Sequence, residues 1–144
     1  MSSALHVVAG ALFDADGRVL IAQRPLGKHM AGGWEFPGGK LALGEQAFAG
    51  LARELREELG IEVVEAEPVI AYTHHYADRS VLLDLWHVTH YTGNPISAEG
   101  QAIQWVDLSE LEGINLLAAD QPMIEPLRKA VSHNFSVKKR STVS

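Results

Sequence analysis

The chain has 144 residues, a formal net charge of −6, 47% hydrophobic and 21% charged residues, and no cysteine. This length suits one globular domain with a core of its own, and the missing cysteines exclude disulfides and thiolate zinc sites. The acidic balance argues against a general nucleic-acid binder, which needs a basic surface, although a bound metal ion can still bring phosphates to an acidic protein. No apolar run is long enough to span a bilayer and no signal-peptide pattern is visible, so a cytoplasmic location is expected.

The first part of the chain predicts strands around glycine-rich loops. Residues 6–13 are apolar and rich in β-formers, a turn signal follows at 14–17, and residues 19–23 return, which predicts a β-hairpin. A loop over 25–33 precedes a short strand at 34–36. A glycine loop at 38–39 then leads into a helix over about residues 46–59.

The second part predicts more strands and a second helix. The extended segments are 63–64, 69–75, 80–91 and 103–106, with a turn at 77–79 and a helical turn at 109–111. A helix is expected over 121–131, where Pro122 is acceptable in the first turn. The order of elements predicts an α/β fold, a mixed sheet with helices on both sides. Residues 133–144 are polar and basic and are expected to be a disordered tail behind a single domain at 1–132.

The first predicted helix carries a crowded acidic face. Glu54, Glu57 and Glu58 lie at i, i+3 and i+4, where like charges repel, and they precede Gly60, the predicted helix end, where the dipole disfavours anions. A divalent cation would reverse this repulsion, because Mg²⁺ is bound by carboxylates together with substrate phosphates. The alternative is a solvated acidic face that Arg53 and Arg56 partly neutralise. Another arc of the helix is apolar and can pack against a core; it is formed by Phe48, Leu51, Ala52, Leu55 and Leu59.

A longer motif contains these glutamates. Its spacing is Gly39, five residues, Glu45, seven residues, and then Arg53-Glu54-Leu55-x-Glu57-Glu58-x-Gly60-Ile61. This pattern resembles the box of the Nudix family, and the preceding segment Trp34-Glu35-Phe36-Pro37-Gly38-Gly39-Lys40 is similar to that of MutT-like members. The resemblance extends from about residue 5 to residue 127. It implies a Nudix-type α/β/α sandwich with a mixed β-sheet, Mg²⁺ (or Mn²⁺) as cofactor, and hydrolysis of a nucleoside triphosphate to the monophosphate and pyrophosphate.

The resemblance also implies a set of site residues. Glu54, Glu57 and Glu58 match metal-binding glutamates, the carbonyl of Gly38 matches a backbone metal ligand, and Glu99 matches a loop glutamate that joins the metal site. These four glutamates are the candidates for the general base, and Arg53 is placed with them among the catalytic residues. Arg24 and His29 match positions near the phosphates and nucleoside, and Phe36 and Arg79 match the base pocket. Each has a simpler interpretation: Phe36 as core, Arg24, His29 and Arg79 as solvated surface groups, and Glu99 as an ordinary loop acid.

Asp120 occupies a position where MutT-like enzymes that act on 8-oxo-dGTP have asparagine. An ionised carboxylate only accepts hydrogen bonds, so it pairs with N7–H of 8-oxoguanine but opposes O6, and protonation would restore a donor. An ionised aspartate would instead suit an exocyclic amine, as on cytosine or adenine.

The function predicted from the sequence is therefore a MutT-like nucleotide-pool enzyme acting on 8-oxo-dGTP. The alternatives are CTP or dCTP pyrophosphohydrolysis, removal of pyrophosphate from RNA 5′ ends, and hydrolysis of nucleoside diphosphate sugars. A non-catalytic nucleotide sensor is disfavoured because every box glutamate is present. The expected partner is a small nucleotide, without a membrane or a stable nucleic-acid partner.

Overall fold

The computed structural model describes residues 5–25, 27 and 30–132. The predicted tail at 133–144 and the predicted substrate residue His29 lie outside the described residues. The strands are β1 (Leu5–Ala11), β2 (Val19–Gln23), β3 (Trp34–Glu35), β4 (Gly38–Lys40), β5 (Glu62–His75), β6 (Ser80–Thr92) and β7 (Ile103–Val106). The helices are α1 (Ala47–Leu59), two 3₁₀ helices (Leu108–Gly113 and Gln121–Met123), and α2, which follows the second 3₁₀ helix over residues 124–132.

The strands form two sheets, with the orders β4-β1-β6-β5 and β3-β2-β7. In the larger sheet β1 runs parallel to β6, while its pairing with β4 and the β5–β6 pairing are antiparallel. The larger sheet is therefore mixed, as predicted. The smaller sheet is antiparallel throughout.

Helices cover both sides of the larger sheet. Neighbouring residues of a strand point to opposite faces, so neighbours in β1 pack against different helices. In β1, Val8 belongs to the core cluster that contains Leu51, Leu55 and Leu59 of α1. Its neighbour Ala9 belongs to the second cluster, which contains Met123 at the end of the second 3₁₀ helix and Ile124 and Leu127 of α2. This arrangement confirms the predicted α/β/α sandwich. Within the described part of the chain, no helix has the length and apolar character needed to cross a bilayer.

Helix α1 ends where the sequence predicted. Gly60 has a left-handed backbone with φ 69°, and its N–H donates to the carbonyl of Arg56 at 3.0 Å, the usual way of ending a helix on glycine. In the apolar arc of α1, Leu51, Leu55 and Leu59 are buried, Ala52 is half-buried, and Phe48 is 38% exposed. Its ring lies at the edge of the packed surface and meets Trp86 in a T-shaped contact at 6.4 Å.

Several boundaries differ from those predicted. The predicted hairpin exists only at its tip, where Phe13 bridges Val19, because β1 and β2 then enter different sheets. The two segments predicted at 63–64 and 69–75 form one bulged strand, β5, since the long β6 offers it a partner throughout. Residues 38–40 form strand β4 beside β1 rather than a loop. The second helix opens with a 3₁₀ turn at Gln121–Met123.

Candidate active site

A cavity of about 540 Å³ lies among residues from both sheets, the end of α1 and the Glu99 loop. Its volume is in the range of pockets that hold small organic ligands. The wall contains several residues that the sequence predicted to contact metal or substrate: Arg24, Phe36, Gly38, Glu58, Arg79, Glu99 and Asp120. Three further predicted residues, Arg53, Glu54 and Glu57, are not part of this wall.

Two adjacent glycines allow β4 to pack against its neighbours. A Cβ atom on Gly39 would lie 2.4 Å from the carboxyl carbon of Glu54, and one on Gly38 would lie 1.9 Å from the carbonyl oxygen of Val8. Both contacts are far below van der Waals distance, so any larger residue would displace the strand or the glutamate. The Gly38-Gly39 pair thus holds the backbone of β4 directly against α1 and β1.

The carboxyl group of Glu58, in the last turn of α1, has one unsatisfied oxygen. Its Oε2 is buried and has no hydrogen-bond partner. Burial raises the pKa of Glu58 to about 8, the charges of Glu54, Glu99 and Glu35 add to this, and a backbone hydrogen bond from Gly38 partly opposes it. An ionised carboxylate in such a place is costly unless it is paired or binds a metal. A divalent cation would give this oxygen its missing partner, so the site fits the metal that the sequence predicted.

Arg53 organises the acidic residues behind the cavity. Its guanidinium donates to Oε1 of Glu54 at 3.0 Å, to Oε2 of Glu57 at 3.4 Å, and to both carboxylate oxygens of Glu45 at 2.8 Å. It also donates to the carbonyl of Lys40 at 3.1 Å, which connects α1 to the end of β4. These hydrogen bonds lower the pKa of Glu45 to about 2. Arg53 therefore stabilises the arrangement of the glutamates rather than facing the cavity itself.

The remaining two helix glutamates differ in exposure. Burial raises the pKa of Glu54, and hydrogen bonding to Arg53 opposes this rise. The side chain of Glu57 is 52% exposed. Among the described residues, no three acidic or histidine side chains converge closely enough to form a ready-made metal cage. The predicted ligands are thus neighbours on one surface, with Glu54 and Glu57 held by Arg53 and Glu58 facing the cavity.

Asp120 provides the second buried carboxyl group of the cavity. It is only 6% exposed, and its Oδ2 accepts a hydrogen bond from the backbone N–H of Phe36 at 3.0 Å. Burial raises the pKa of Asp120 to about 7, and the charge of Glu35 adds to the rise, while the Phe36 hydrogen bond and Arg24 oppose it. Phe36 is 3% exposed and also belongs to the core cluster on the α2 side of the sheet. Phe36 is thus part of the core, and it also lines the cavity, while its contact with a base stays a prediction.

The profile of the NUDIX domain family matches residues 8–126. The chain belongs to the Nudix family. The CTP pyrophosphohydrolase of Escherichia coli K12 is 40% identical over 118 residues, which cover 82% of this chain and 87% of that protein. The 8-oxo-dGTP diphosphatase of Proteus vulgaris is 42% identical over 96 residues, 67% of this chain and 86% of that protein.

Solved structures agree with this assignment. The solution structure of the E. coli ORF135 protein has a TM-score of 0.79 and 38% identity, covering 88% of this chain and 90% of that one. A MutT structure from a study of Aliivibrio salmonicida and Vibrio cholerae has a TM-score of 0.74 and 34% identity, covering 85% and 95%. The fold, the box and the relatives together make this protein a Nudix hydrolase of the MutT-like type, as the sequence predicted.

The structure adds residues to the wall of this Nudix cavity that the sequence did not single out. Tyr76 and Glu35 are the main additions, and Lys40 and Gln101 also line the wall. The guanidinium of Arg79 lies 5.9 Å from the centre of the Tyr76 ring, and Arg24 Nε lies 3.2 Å from Glu35 Oε2. The turn signal at 77–79 could have indicated Tyr76, because a tight turn brings residues 76 and 79 side by side, and here the Tyr76 N–H donates to the Arg79 carbonyl at 2.8 Å.

Proposed function

We propose that this Nudix hydrolase is a Mg²⁺-dependent nucleoside triphosphate pyrophosphohydrolase that converts 8-oxo-dGTP to the monophosphate and pyrophosphate. The observation that carries the proposal is the buried, unpartnered Oε2 of Glu58 on the wall of the cavity that also contains the buried carboxyl group of Asp120. One carboxylate suits a cation and its phosphates, and the other suits the edge of a base. Glu35 raises the pKa of both, so the two groups lie within electrostatic reach of a common neighbour.

The glutamates at and around the end of α1 would hold the metal ion. We assign Glu54, Glu57, Glu58, Glu99 and the carbonyl of Gly38 to this role. When bound, Mg²⁺ supplies positive charge to the phosphate oxygens and to the attacking water. Arg53 orients Glu54 and Glu57, because each accepts a hydrogen bond from its guanidinium.

In this proposal, water attacks the second phosphorus of the substrate's triphosphate, counted from the nucleoside. A new P–O bond forms there, the bridging P–O bond to the nucleotide breaks, and the nucleoside monophosphate leaves. A carboxylate takes the proton from the attacking water. Glu58 and Glu99 are the two predicted glutamates on the cavity wall, so we assign the proton acceptor to this pair.

Asp120 is the proposed reader of the base. With Oδ2 engaged by the Phe36 N–H, its other oxygen is available for a base edge. In the protonated form Oδ1 carries the O–H and donates to O6 of 8-oxoguanine, while the second lone pair of Oδ2, beside the one that accepts from Phe36, accepts from N7–H. The raised pKa of Asp120, about 7, keeps this protonated form accessible near neutral pH. This chemistry supports 8-oxo-dGTP as the substrate.

CTP or dCTP is the second candidate substrate, and two observations favour it. The ionised form of Asp120 accepts from an exocyclic amine, as cytosine presents on N4. A relative that is 40% identical is a CTP pyrophosphohydrolase. The two candidates share the reaction and differ in the protonation state of one carboxyl group.

A hydrolysis panel tests the function. Purified protein is incubated with Mg²⁺ and 8-oxo-dGTP, dGTP, dCTP, CTP, dATP, ADP-ribose or triphosphorylated RNA, and the products are identified. Mg²⁺-dependent release of pyrophosphate, fastest from 8-oxo-dGTP, is the expected result. Faster release from dCTP or CTP would select the second candidate. Release of phosphate alone, or activity only on ADP-ribose or RNA, would overturn the proposal.

A further inference from the structure

Gln101 joins the loop of Glu99 to the end of helix α1. The side chain is buried, with 8% exposure, although glutamine is usually found at the surface. Its Nε2 donates to the carbonyl of Glu58 at 3.2 Å. Its Oε1 accepts from the N–H of Glu99 at 3.2 Å and from the hydroxyl of Ser97 at 3.2 Å. One amide therefore contacts the backbones of both glutamates that line the cavity.

The chemistry of these partners fixes the orientation of the amide. The Glu58 carbonyl only accepts and the Glu99 N–H only donates, so a reversed amide would lose both hydrogen bonds. A carboxylate could replace the acceptor but not the donor, and an apolar side chain could replace neither. The site thus requires a side chain that donates at one atom and accepts at the other.

Other contacts fasten only the first part of this loop to α1. The N–H of Ile96 donates to the carbonyl of Leu59, and the N–H of Ala98 donates to that of Glu58, each at 3.0 Å. Glu99 comes next and is itself exposed. Gly100 follows with φ 82° and with no atom within 4 Å of the place of a Cβ, and its N–H donates within the loop, to the carbonyl of Ser97 at 3.5 Å. Among the hydrogen bonds of the described residues, the one from the Glu99 N–H to Gln101 links Glu99 itself to the helix, because the same amide donates to the Glu58 carbonyl.

We propose that Gln101 is a positioning residue that holds Glu99 beside Glu58, and that the metal site depends on it. The inference rests on the proposed function, in which both glutamates belong to that site. Gln101 touches neither metal nor phosphate in this role and acts through the backbone of Glu99. Residues that orient metal ligands in this indirect way typically change metal affinity or activity by about 10- to 100-fold when replaced.

The first test replaces Gln101 with methionine, which preserves length and removes the hydrogen bonds. The matched control is Gln104→Met, at an exposed position on β7. We expect Gln101→Met to lower kcat/KM for the preferred nucleoside triphosphate on the order of 10- to 100-fold and to raise the Mg²⁺ concentration needed for half-maximal rate. Gln104→Met should match the wild type in kcat/KM and in its Mg²⁺ requirement. Equal activity of the two variants would overturn the proposal.

A double-mutant cycle separates positioning from general stability. If Gln101 acts through Glu99, then Gln101→Met should lower kcat/KM by less than about 2-fold in a Glu99→Gln background, because the carboxylate that Gln101 positions is already lost. The same 10- to 100-fold loss in both backgrounds would show that Gln101 acts independently of Glu99. That outcome would overturn the proposal.

Amide hydrogen exchange gives a readout that needs no activity. In the metal-free protein, we expect the Glu99 amide to be protected in the wild type and in Gln104→Met and to exchange faster in Gln101→Met, while amides within α1 are unchanged. Unchanged protection of Glu99 would overturn the proposal. If Gln101→Met does not fold, Gln101→Asn takes its place, since a side chain one methylene shorter cannot reach both partners. A wild type that hydrolyses no nucleotide would refute the proposed function, whereas the exchange result would still decide whether Gln101 holds the loop.

Discussion

The backbone N–H of Phe36 donates to Oδ2 of Asp120 at 3.0 Å and thereby fixes a buried carboxyl group in the wall of the cavity. The two residues are 84 positions apart in sequence. This hydrogen bond favours the ionised form of Asp120, but burial outweighs it and raises the pKa to about 7. Asp120 therefore changes its hydrogen-bonding character within the range of pH in which enzymes are assayed.

Substrate preference should consequently depend on pH. Below a pH of about 7, Asp120 is mostly protonated and suits 8-oxoguanine. Above that pH it is mostly ionised and suits cytosine. We expect the ratio of kcat/KM for 8-oxo-dGTP to that for dCTP to fall as pH rises from 6 to 8, by at most about 10-fold per pH unit. The ratio cancels the titration of groups that serve both substrates, Glu58 among them.

The control for this effect is Asp120→Asn, whose amide does not titrate. It keeps one donor and one acceptor at every pH, so the ratio should be flat between pH 6 and 8 and should favour 8-oxo-dGTP. A wild-type ratio that is equally flat would show that Asp120 does not read the base.

Glu58→Gln should stabilise the metal-free protein while removing its activity. The pKa of Glu58 is raised to about 8 in the folded state from an ordinary value of 4.5, so folding is most favourable at low pH and loses stability as pH rises from 4.5 through 8. At pH 8 to 9 we expect the variant to unfold at a higher urea concentration than the wild type. Its free energy of unfolding should be greater by on the order of 1–4 kcal/mol, and this difference should vanish below pH 4.5. The measurement is made in chelator, and Mg²⁺-dependent turnover is followed in parallel. A variant that is less stable than the wild type at pH 9 would contradict this account of Glu58.

Glu57→Gln should affect activity alone. The side chain is 52% exposed, and its hydrogen bond to Arg53 is long at 3.4 Å, so its loss should change the free energy of unfolding by less than about 0.5 kcal/mol. As a metal ligand it should still matter, and we expect Mg²⁺-dependent turnover to fall by about 100-fold or more. Glu62→Gln is the matched control, because Glu62 is 60% exposed and also pairs with an arginine, Arg56. Near-wild-type turnover in Glu57→Gln would remove Glu57 from the metal site.

Gly39→Ala tests the packing between β4 and α1. The added Cβ would lie 2.4 Å from the carboxyl carbon of Glu54, so either the strand or the glutamate must move. We expect a loss of about 1–3 kcal/mol in unfolding free energy, the usual cost of overpacking, together with a raised Mg²⁺ requirement. Gly113→Ala is the control, since no atom lies within 4 Å of the place that the new methyl group would take there. Equal stability and equal Mg²⁺ requirement in the two variants would show that Gly39 tolerates a side chain.

Local sequence predicted the elements that depend on nearby residues. The apolar spacing of Leu51, Leu55 and Leu59 predicted the buried face of α1, and Gly60 predicted its end, because both follow from the helical repeat and the glycine backbone. The box spacing likewise predicted the family. Phe48 shares the apolar arc of α1 but is 38% exposed, because periodicity gives the direction of a side chain and not where the opposing surface ends.

The pairing of strands could not be predicted from local sequence patterns. Residues 6–13 and 19–23 have the pattern of a hairpin, yet they separate into two sheets because β1 finds better partners in β4 and β6, which are distant in sequence. The same applies to Tyr76 and Gln101. A turn signal lies beside Tyr76 and nothing local marks Gln101, and both enter the cavity wall only because the fold brings distant segments together.

The sequence by itself determined the catalytic class of this protein, because Glu54, Glu57 and Glu58 share one helix and the spacing of the box is a local property. Tertiary structure decided which of those acids faces the cavity and how each is charged. Burial depends on what packs around a group, so the raised pKa values of Glu58 and Asp120 arise from strands and loops far from either residue. The hydrogen bonds of Gln101 and Phe36 likewise exist only after the chain has folded.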